Sequence, residues 1–188
     1  MIIKQAELLK LYNIDKYMTQ RSILSDDSSE QLSLFSLLAE EEAGKELAHL
    51  ISKQQNSGKF AVVIMMRSGL MIGEGIADIL DCPVLFYDDC SDIKFMDEWN
   101  YLNQKNVYTA IICDGVINSG NSIVNFLEKT CIKRFIIVTN VISSKCKMLN
   151  IWPVYATRIS DNSFVGVKQK EVSNGKGPDT SDRLFKTM

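Results

Sequence analysis

Five short apolar runs, each closed by a polar or glycine-bearing loop, constrain the fold of this chain more than any other feature. They are Phe60–Met66 (FAVVIMM), Pro83–Tyr87 (PVLFY), Val107–Cys113 (VYTAIIC), Arg134–Val141 (RFIIVTNV) and Trp152–Thr157 (WPVYAT). Such runs are continuous rather than alternating, the pattern of strands covered on both faces. Helical stretches lie between them, at Gly69–Leu80 after the first and Ser122–Lys129 after the third. Strands separated by helices predict an α/β domain with a largely parallel central sheet flanked by helices. Crossover connections then gather the loops that follow the strands along one sheet edge, where folds of this class bind ligands.

The chain before Phe60 reads as helical. Leu8, Leu9, Leu11 and Tyr12 suit a short first helix. Ser29–Ile51 carries Leu32, Leu34, Phe35, Leu37, Leu38, Leu47 and Leu50 at mixed three- and four-residue spacings, and Asn56-Ser57-Gly58 ends it. No repeat, low-complexity tract or linker divides the chain, so its 188 residues are expected to form one domain. Residues 1–57 are its helical part, and residues 58–188 its core with a long C-terminal loop.

Composition narrows the function classes. A net charge of −2 supplies no basic field to draw the chain to nucleic acid or to an anionic membrane. Cys82, Cys90, Cys113, Cys131 and Cys146 form no CxxC pair, and His49 is the one histidine, so a zinc ligand set is not on offer. Cysteines beside apolar stretches suit reduced, buried thiols. The N-terminal MIIKQAELLKLYNIDKYM carries charges where a signal peptide needs an apolar run, and no stretch approaches the roughly 20 apolar residues of a membrane span. The expectation is a soluble, cytoplasmic protein. His49 is expected at a surface or packing position, and Glu40-Glu41-Glu42 on a solvated helix face. Asp88, Asp89 and Asp92 read as an acidic exposed arm, with metal binding as the rival reading.

The run AIICDGVINSGNSIVNFL, Ala110–Leu127, carries the most chemistry. An apolar strand ends at Asp114, and a short loop rich in Gly, Ser and Asn leads directly into a helix. Gly120 opens backbone angles closed to other residues, so successive amides can turn toward one point. Ser119, Asn121 and Ser122 add donors where the helix begins, and the first-turn amides and helix dipole favour an anion there. A phosphate monoester fits. Asp114 would accept hydrogen bonds from ribose hydroxyls nearby. Asn-Ser-Gly-Asn also suits a plain helix N-cap, and from these residues alone both readings stand.

CDGVINSGNS resembles the PRPP loop of type I phosphoribosyltransferases, and its single acid followed by Gly115 is similar to the uracil phosphoribosyltransferase branch. VIMMRSGLMIGEGIADIL (Val63–Leu80) resembles that family's strand-Leu-Arg-Ala-Gly-helix segment, with Arg67 at the pyrophosphate-binding arginine. VYATRI (Val154–Ile159) and PDTSDRLF (Pro178–Phe185) resemble its last strand and its C-terminal Gly-Asp-Ala-Gly-Asp-Arg segment. The resemblance implies a type I phosphoribosyltransferase-like fold, with a loop over the site that closes on the nucleobase.

It further implies transfer of 5-phosphoribosyl from PRPP to uracil, with Mg²⁺ accompanying PRPP. Asn118, Ser119, Gly120, Asn121 and Ser122 would hold the 5-phosphate, Asp114 the ribose, and Arg67 the diphosphate. Backbone around Val165, Gly177, Pro178, Asp179 and Thr180 would face the base, with Asp179 near the diphosphate or metal. Asp182 and Arg183 suit a structural ion pair. A homodimer or higher homo-oligomer is implied, with Asp88–Asn100 as a candidate exchange arm. The sequence departs from the family pattern in three places. Asn121 stands at the second loop glycine, Asp88 stands near where the family has an arginine, and FVGVKQKEVSNGKGPD with Lys168, Lys170 and Lys176 replaces a Pro-Gly turn. An anion in place of a cation beside a diphosphate should weaken its binding by about 1 kcal/mol or more. These departures keep two alternatives in play: a non-catalytic relative that binds PRPP or a nucleotide as a sensor, and a transferase for another base.

Overall fold

The computed structural model describes residues 29–54, 58–88, 92–106 and 108–160. The expected short helix at Leu8–Tyr12 and the whole C-terminal loop, including Val165, Gly177, Pro178, Asp179, Thr180, Asp182 and Arg183, lie outside the described residues.

Elements alternate along the chain. Helix α1 (Ser29–Gln54) leads into β1 (Lys59–Met65), α2 (Leu70–Leu80), β2 (Val84–Tyr87) and α3 (Asp92–Lys105). Then follow β3 (Tyr108–Ile117), α4 (Asn121–Thr130), β4 (Phe135–Ser143), a 3-10 turn at Lys147–Asn150 and β5 (Val154–Ser160). The strands form one five-stranded sheet in the order β2-β1-β3-β4-β5. Every pairing is parallel, with Val62 opposite Val84, Val63 opposite Ile112, Ile112 opposite Ile137 and Ile137 opposite Val154. The parallel α/β architecture expected from the five apolar runs is the one observed.

Each central strand buries both faces, which is why its run is continuous. Val62, Ile64, Ile111, Cys113, Ile136 and Val138 pack with Leu47, Ala48 and Ile51 of α1 and Ile72 and Ile76 of α2. Ala61, Val63, Ala110, Ile112 and Ile137 point the other way, toward Phe95 and Trp99 of α3 and Ile123 and Phe126 of α4. Tyr87, Phe95 and Phe126 meet edge to face, with ring centroids 4.6 to 5.5 Å apart, a geometry the ring quadrupole favours.

The outcome adds structure at one place and corrects another. Asp88 is exposed, while the candidate exchange arm Asp88–Asn100 is helical from Asp92 onward, with Phe95 and Trp99 buried against the sheet. Phe95, Trp99 and Leu102 recur at helical spacing, and burying them outweighs the charges between. Glu40, expected on a solvated face, is buried at 1% exposure. It belongs to the same stripe as Ala43, Leu47 and Ile51, whereas Glu41 and Glu42 flank Lys45 at 2.8 and 3.0 Å on the outer side.

Strand β3 also runs further than its apolar stretch, to Ile117, but its side-chain alternation slips on the way. Ile117 and Ile142 pack on the α3–α4 side, although even-odd counting from Ile111 and Ile136 puts them on the other. The slip occurs at one level in both strands, where Asp114 pairs with Thr139 and Val116 with Val141 while Gly115 and Asn140 are not paired. The Thr139 hydroxyl lies 3.2 Å from the Gly115 carbonyl and 3.1 Å from that of Val141, filling the irregularity.

Candidate functional site

The sheet order places a switch point between β1 and β3. The chain leaves β1 for β2 on one side and leaves β3 for β4 on the other, so a crevice opens at their carboxyl ends. Two sequence-predicted groups flank it. Arg67 follows β1 in the turn Met66–Gly69, and Asp114 lies near the end of β3.

The turn after β1 is pressed against β3. A Cβ on Gly69 would come within 2.0 Å of the Cys113 carbonyl oxygen, and one on Gly115 within 2.6 Å of the Ser68 carbonyl oxygen. Backbone meets backbone at both points, so neither position admits a side chain. The turn is closed by the Gly69 amide donating to the Met65 carbonyl at 3.0 Å, and its peptide bond between Met66 and Arg67 is cis. Arg67 is half-buried.

Asp114 sits inside this wedge. Its carboxylate accepts hydrogen bonds from the Ser68 hydroxyl and from the backbone amides of Val116 and Gly115. Burial pushes its pKa up to about 6, and the three donors, Ser68 foremost, oppose that rise. The Glu40 carboxylate raises it further. Asp114 is thus a desolvated but ionisable acceptor, suited to neutral donors such as sugar hydroxyls.

The loop beyond β3 carries the residues expected to bind phosphate into the start of α4. Gly120 takes φ +82° and is the N-cap of α4, with no side chain capping the helix. The N-cap residue, being glycine, therefore offers no side chain of its own to the first-turn amides. One of them, the Asn121 amide, donates to the Ser119 hydroxyl at 3.3 Å, leaving that hydroxyl's own proton for an incoming oxygen. Ser119, Asn121 and Ser122 are exposed, and Asn118 is half-buried. Ile123, Phe126 and Thr130 bury the inner face of α4 and so fix where its N-terminus points.

The loop rests on a floor absent from the sequence expectations. A Cβ on Gly120 would come within 2.0 Å of the Met148 sulfur, and the Cys146 thiol donates to the Ser119 carbonyl at 3.5 Å. Both sulfur residues are buried at 3% exposure. Ser68 was likewise not singled out. The signal available for it was a hydroxyl between Arg67 and Gly69; nothing local marks Cys146 and Met148, which reach the loop from the β4–β5 connection.

The structure brings Arg67, Asp114 and Asn118–Ser122 to one edge of the sheet. Of the acidic trio, Asp88 is exposed directly after β2, and the Met66 amide bonds the Tyr87 carbonyl at 2.9 Å, so Asp88 flanks the Arg67 turn. Among the described residues no three His, Cys, Asp or Glu side chains gather into a metal-holding group. No described helix is long and apolar enough to cross a membrane.

No protein-family model matches the chain, and no curated protein matches it. Among solved structures it is similar to a hypothetical protein from Neisseria gonorrhoeae with bound ppGpp, at 13% identity and a TM-score of 0.50, covering 65% of this chain and 79% of that one. The two share a fold. Similarity at a TM-score of 0.47 and 12% identity extends to hypoxanthine phosphoribosyltransferase from Trypanosoma cruzi in complex with IMP, over 69% of this chain and 76% of that one. A Staphylococcus aureus hypoxanthine phosphoribosyltransferase scores 0.45 at 13% identity, over 71% and 80% of the two chains. The described residues form the parallel α/β sheet flanked by helices that a type I phosphoribosyltransferase-like fold calls for. Five parallel strands with helices on both faces are the architecture that the sequence implied.

Proposed function

We propose that this chain is a phosphoribosyltransferase that moves 5-phosphoribosyl from PRPP to a nucleobase, with uracil as the base the sequence favours. One observation carries the reading. The Asp114 carboxylate accepts from Ser68 in the Arg67 turn, and its own strand β3 runs on into the loop and N-terminus of α4, an order along one sheet edge that suits a ribose with a diphosphate on one side and a 5-phosphate on the other.

In this reading the loop amides and the Ser119 and Ser122 hydroxyls hold the 5-phosphate, and Asp114 accepts from the ribose hydroxyls. The Arg67 guanidinium, a fork suited to phosphate oxygens, holds the diphosphate. The bond from the anomeric carbon to the diphosphate oxygen breaks, the bond to the base nitrogen forms, and the nitrogen's proton passes to solvent. No covalent nucleophile is required, so catalysis rests on positioning and on stabilising the departing charge. Asp114 and Arg67 fit PRPP with its magnesium: a hard cation held mainly by substrate phosphates needs few protein ligands, and it would neutralise charge on the leaving diphosphate. Asp179 and the base-facing residues Val165, Gly177, Pro178 and Thr180 complete the proposed site from the C-terminal loop, and a homo-oligomer is proposed with it.

A second reading has its own support. Asp88 brings a negative charge to the flank of the diphosphate position, which suits a nucleotide-binding regulator better than an enzyme. The fold neighbour from Neisseria gonorrhoeae holds ppGpp. Pyrophosphate release from PRPP with Mg²⁺, measured across uracil, other pyrimidines and purines, decides between them. Uracil-dependent release supports the transferase as stated, and release with another base changes the substrate only. A folded protein that binds PRPP or UMP without release is the regulator.

A further inference from the structure

Ser68 occupies the place where the resembling family has alanine, and its hydroxyl donates a side-chain hydrogen bond to Asp114. A carboxylate offers about four lone-pair positions. The amides of Gly115 and Val116 and the Ser68 hydroxyl take three of them, so the bond from Ser68 decides which position stays open for a ligand. The backbone of Ser68 is equally constrained, since its carbonyl lies against the Gly115 α-carbon while Gly69 abuts the Cys113 carbonyl. A side chain on so fixed a turn has little freedom to point elsewhere. Opposing it are the buried Glu40 carboxylate from α1, which disfavours charge on Asp114, and the wholly buried Cys113 thiol beside Asp114 on β3.

We propose that Ser68 is a positioning residue that locks the Asp114 carboxylate in the orientation that receives a ribose hydroxyl, tying the diphosphate turn to the ribose site. The proposal rests on the ribose-binding reading of Asp114, and it deepens that reading with a residue at which the sequence departs from the resembled motif. A hydrogen bond to a charged acceptor is among the stronger single polar interactions in a protein. Its loss should therefore lower ligand affinity by about tenfold and raise the titration midpoint of Asp114 by about one unit.

The test compares wild type with Ser68→Ala and Ser68→Thr, the latter restoring the hydroxyl. Two readouts are taken on each folded protein: the ¹³C carboxyl titration of Asp114 without ligand, and the affinity for PRPP with Mg²⁺ between pH 5.5 and 8. The expected result is an upward-shifted titration and about tenfold weaker binding in Ser68→Ala, with recovery of both in Ser68→Thr. Unchanged titration, or unchanged or tighter PRPP binding in Ser68→Ala, overturns the proposal. If wild type binds no PRPP while its Asp114 titration still depends on Ser68, the ribose reading fails and the Ser68–Asp114 lock stands only as a structural bond. That outcome also overturns the proposal as stated.

Discussion

A guanidinium at the end of a buried strand supplies a fixed positive charge and a planar fork of donors together. Neither survives truncation. Arg67→Ala is therefore expected to lower kcat/KM for PRPP by about a hundredfold or more. Because Arg67 is only half-buried, the thermal midpoint should move by only a few degrees, about 1 kcal/mol or less. Near-normal turnover in that variant would remove Arg67 from the site. Asp114 makes a subtler prediction, because two pH dependences of opposite sign meet in one group. Its folded pKa of about 6 exceeds the ordinary 3.8. Stability from the neutral form is therefore complete below the unfolded value and is lost as pH rises through 6. The loss is about 2 kcal/mol once partial exposure is discounted. Ligand binding needs the ionised form and should rise across the same window. Urea midpoints at pH 4.5 and 7.5, with Asp114→Asn as reference, would show the stability gap narrowing with pH; PRPP affinity over that range should climb in wild type alone.

At the scale of elements, the loop and its floor are one unit. Gly120 holds φ +82° with the Met148 side chain directly against it. Gly120→Ala must both strain the backbone and displace a buried sulfur, and should cost about 2 kcal/mol and most of the phosphate affinity. Adding Met148→Ala should recover part of the lost affinity, since it frees the space; a strictly additive double variant in phosphate binding would show that the two do not touch. Much of this element was legible in advance. Asp114 and Asn118–Ser122 could be read because strand, acid, glycine and helix are contiguous in sequence. Cys146 and Met148 could not, because contacts between distant segments leave no local spacing to read. Helix α3 was hidden by its acidic start, although Phe95 and Trp99 already stood four residues apart. The slip at Gly115 and Asn140 is a backbone event shared by two strands, and no single run of residues announces it.

For the whole molecule, the sheet is the common floor of two apolar layers, one under α1 and α2 and one under α3 and α4. Damage to either layer should be felt by both. Leu47, wholly buried on α1, is a case in point: Leu47→Ala is expected to cost about 2–5 kcal/mol. A single cooperative transition should persist, with fluorescence from Trp99 and Trp152 and far-ultraviolet circular dichroism moving together. Two separated transitions would mean that α1 and the sheet are distinct folding units, against the one-domain expectation.

The all-parallel sheet has a kinetic consequence as well. Among the described residues no strand can meet its partner through a tight hairpin; even the shortest connection between paired strands runs from Ser143 to Val154, and β1 and β3 meet only after β2 and α3 lie between them. The chain must close long loops before pairing returns any free energy, so its nucleus is assembled from distant pieces and its refolding should be slow for its size. The crevice between β1 and β3 depends on the pairing that spans the greatest length of chain. The candidate edge is therefore completed late in refolding, and during that interval the unpaired strand edges are the surfaces at risk of joining another copy.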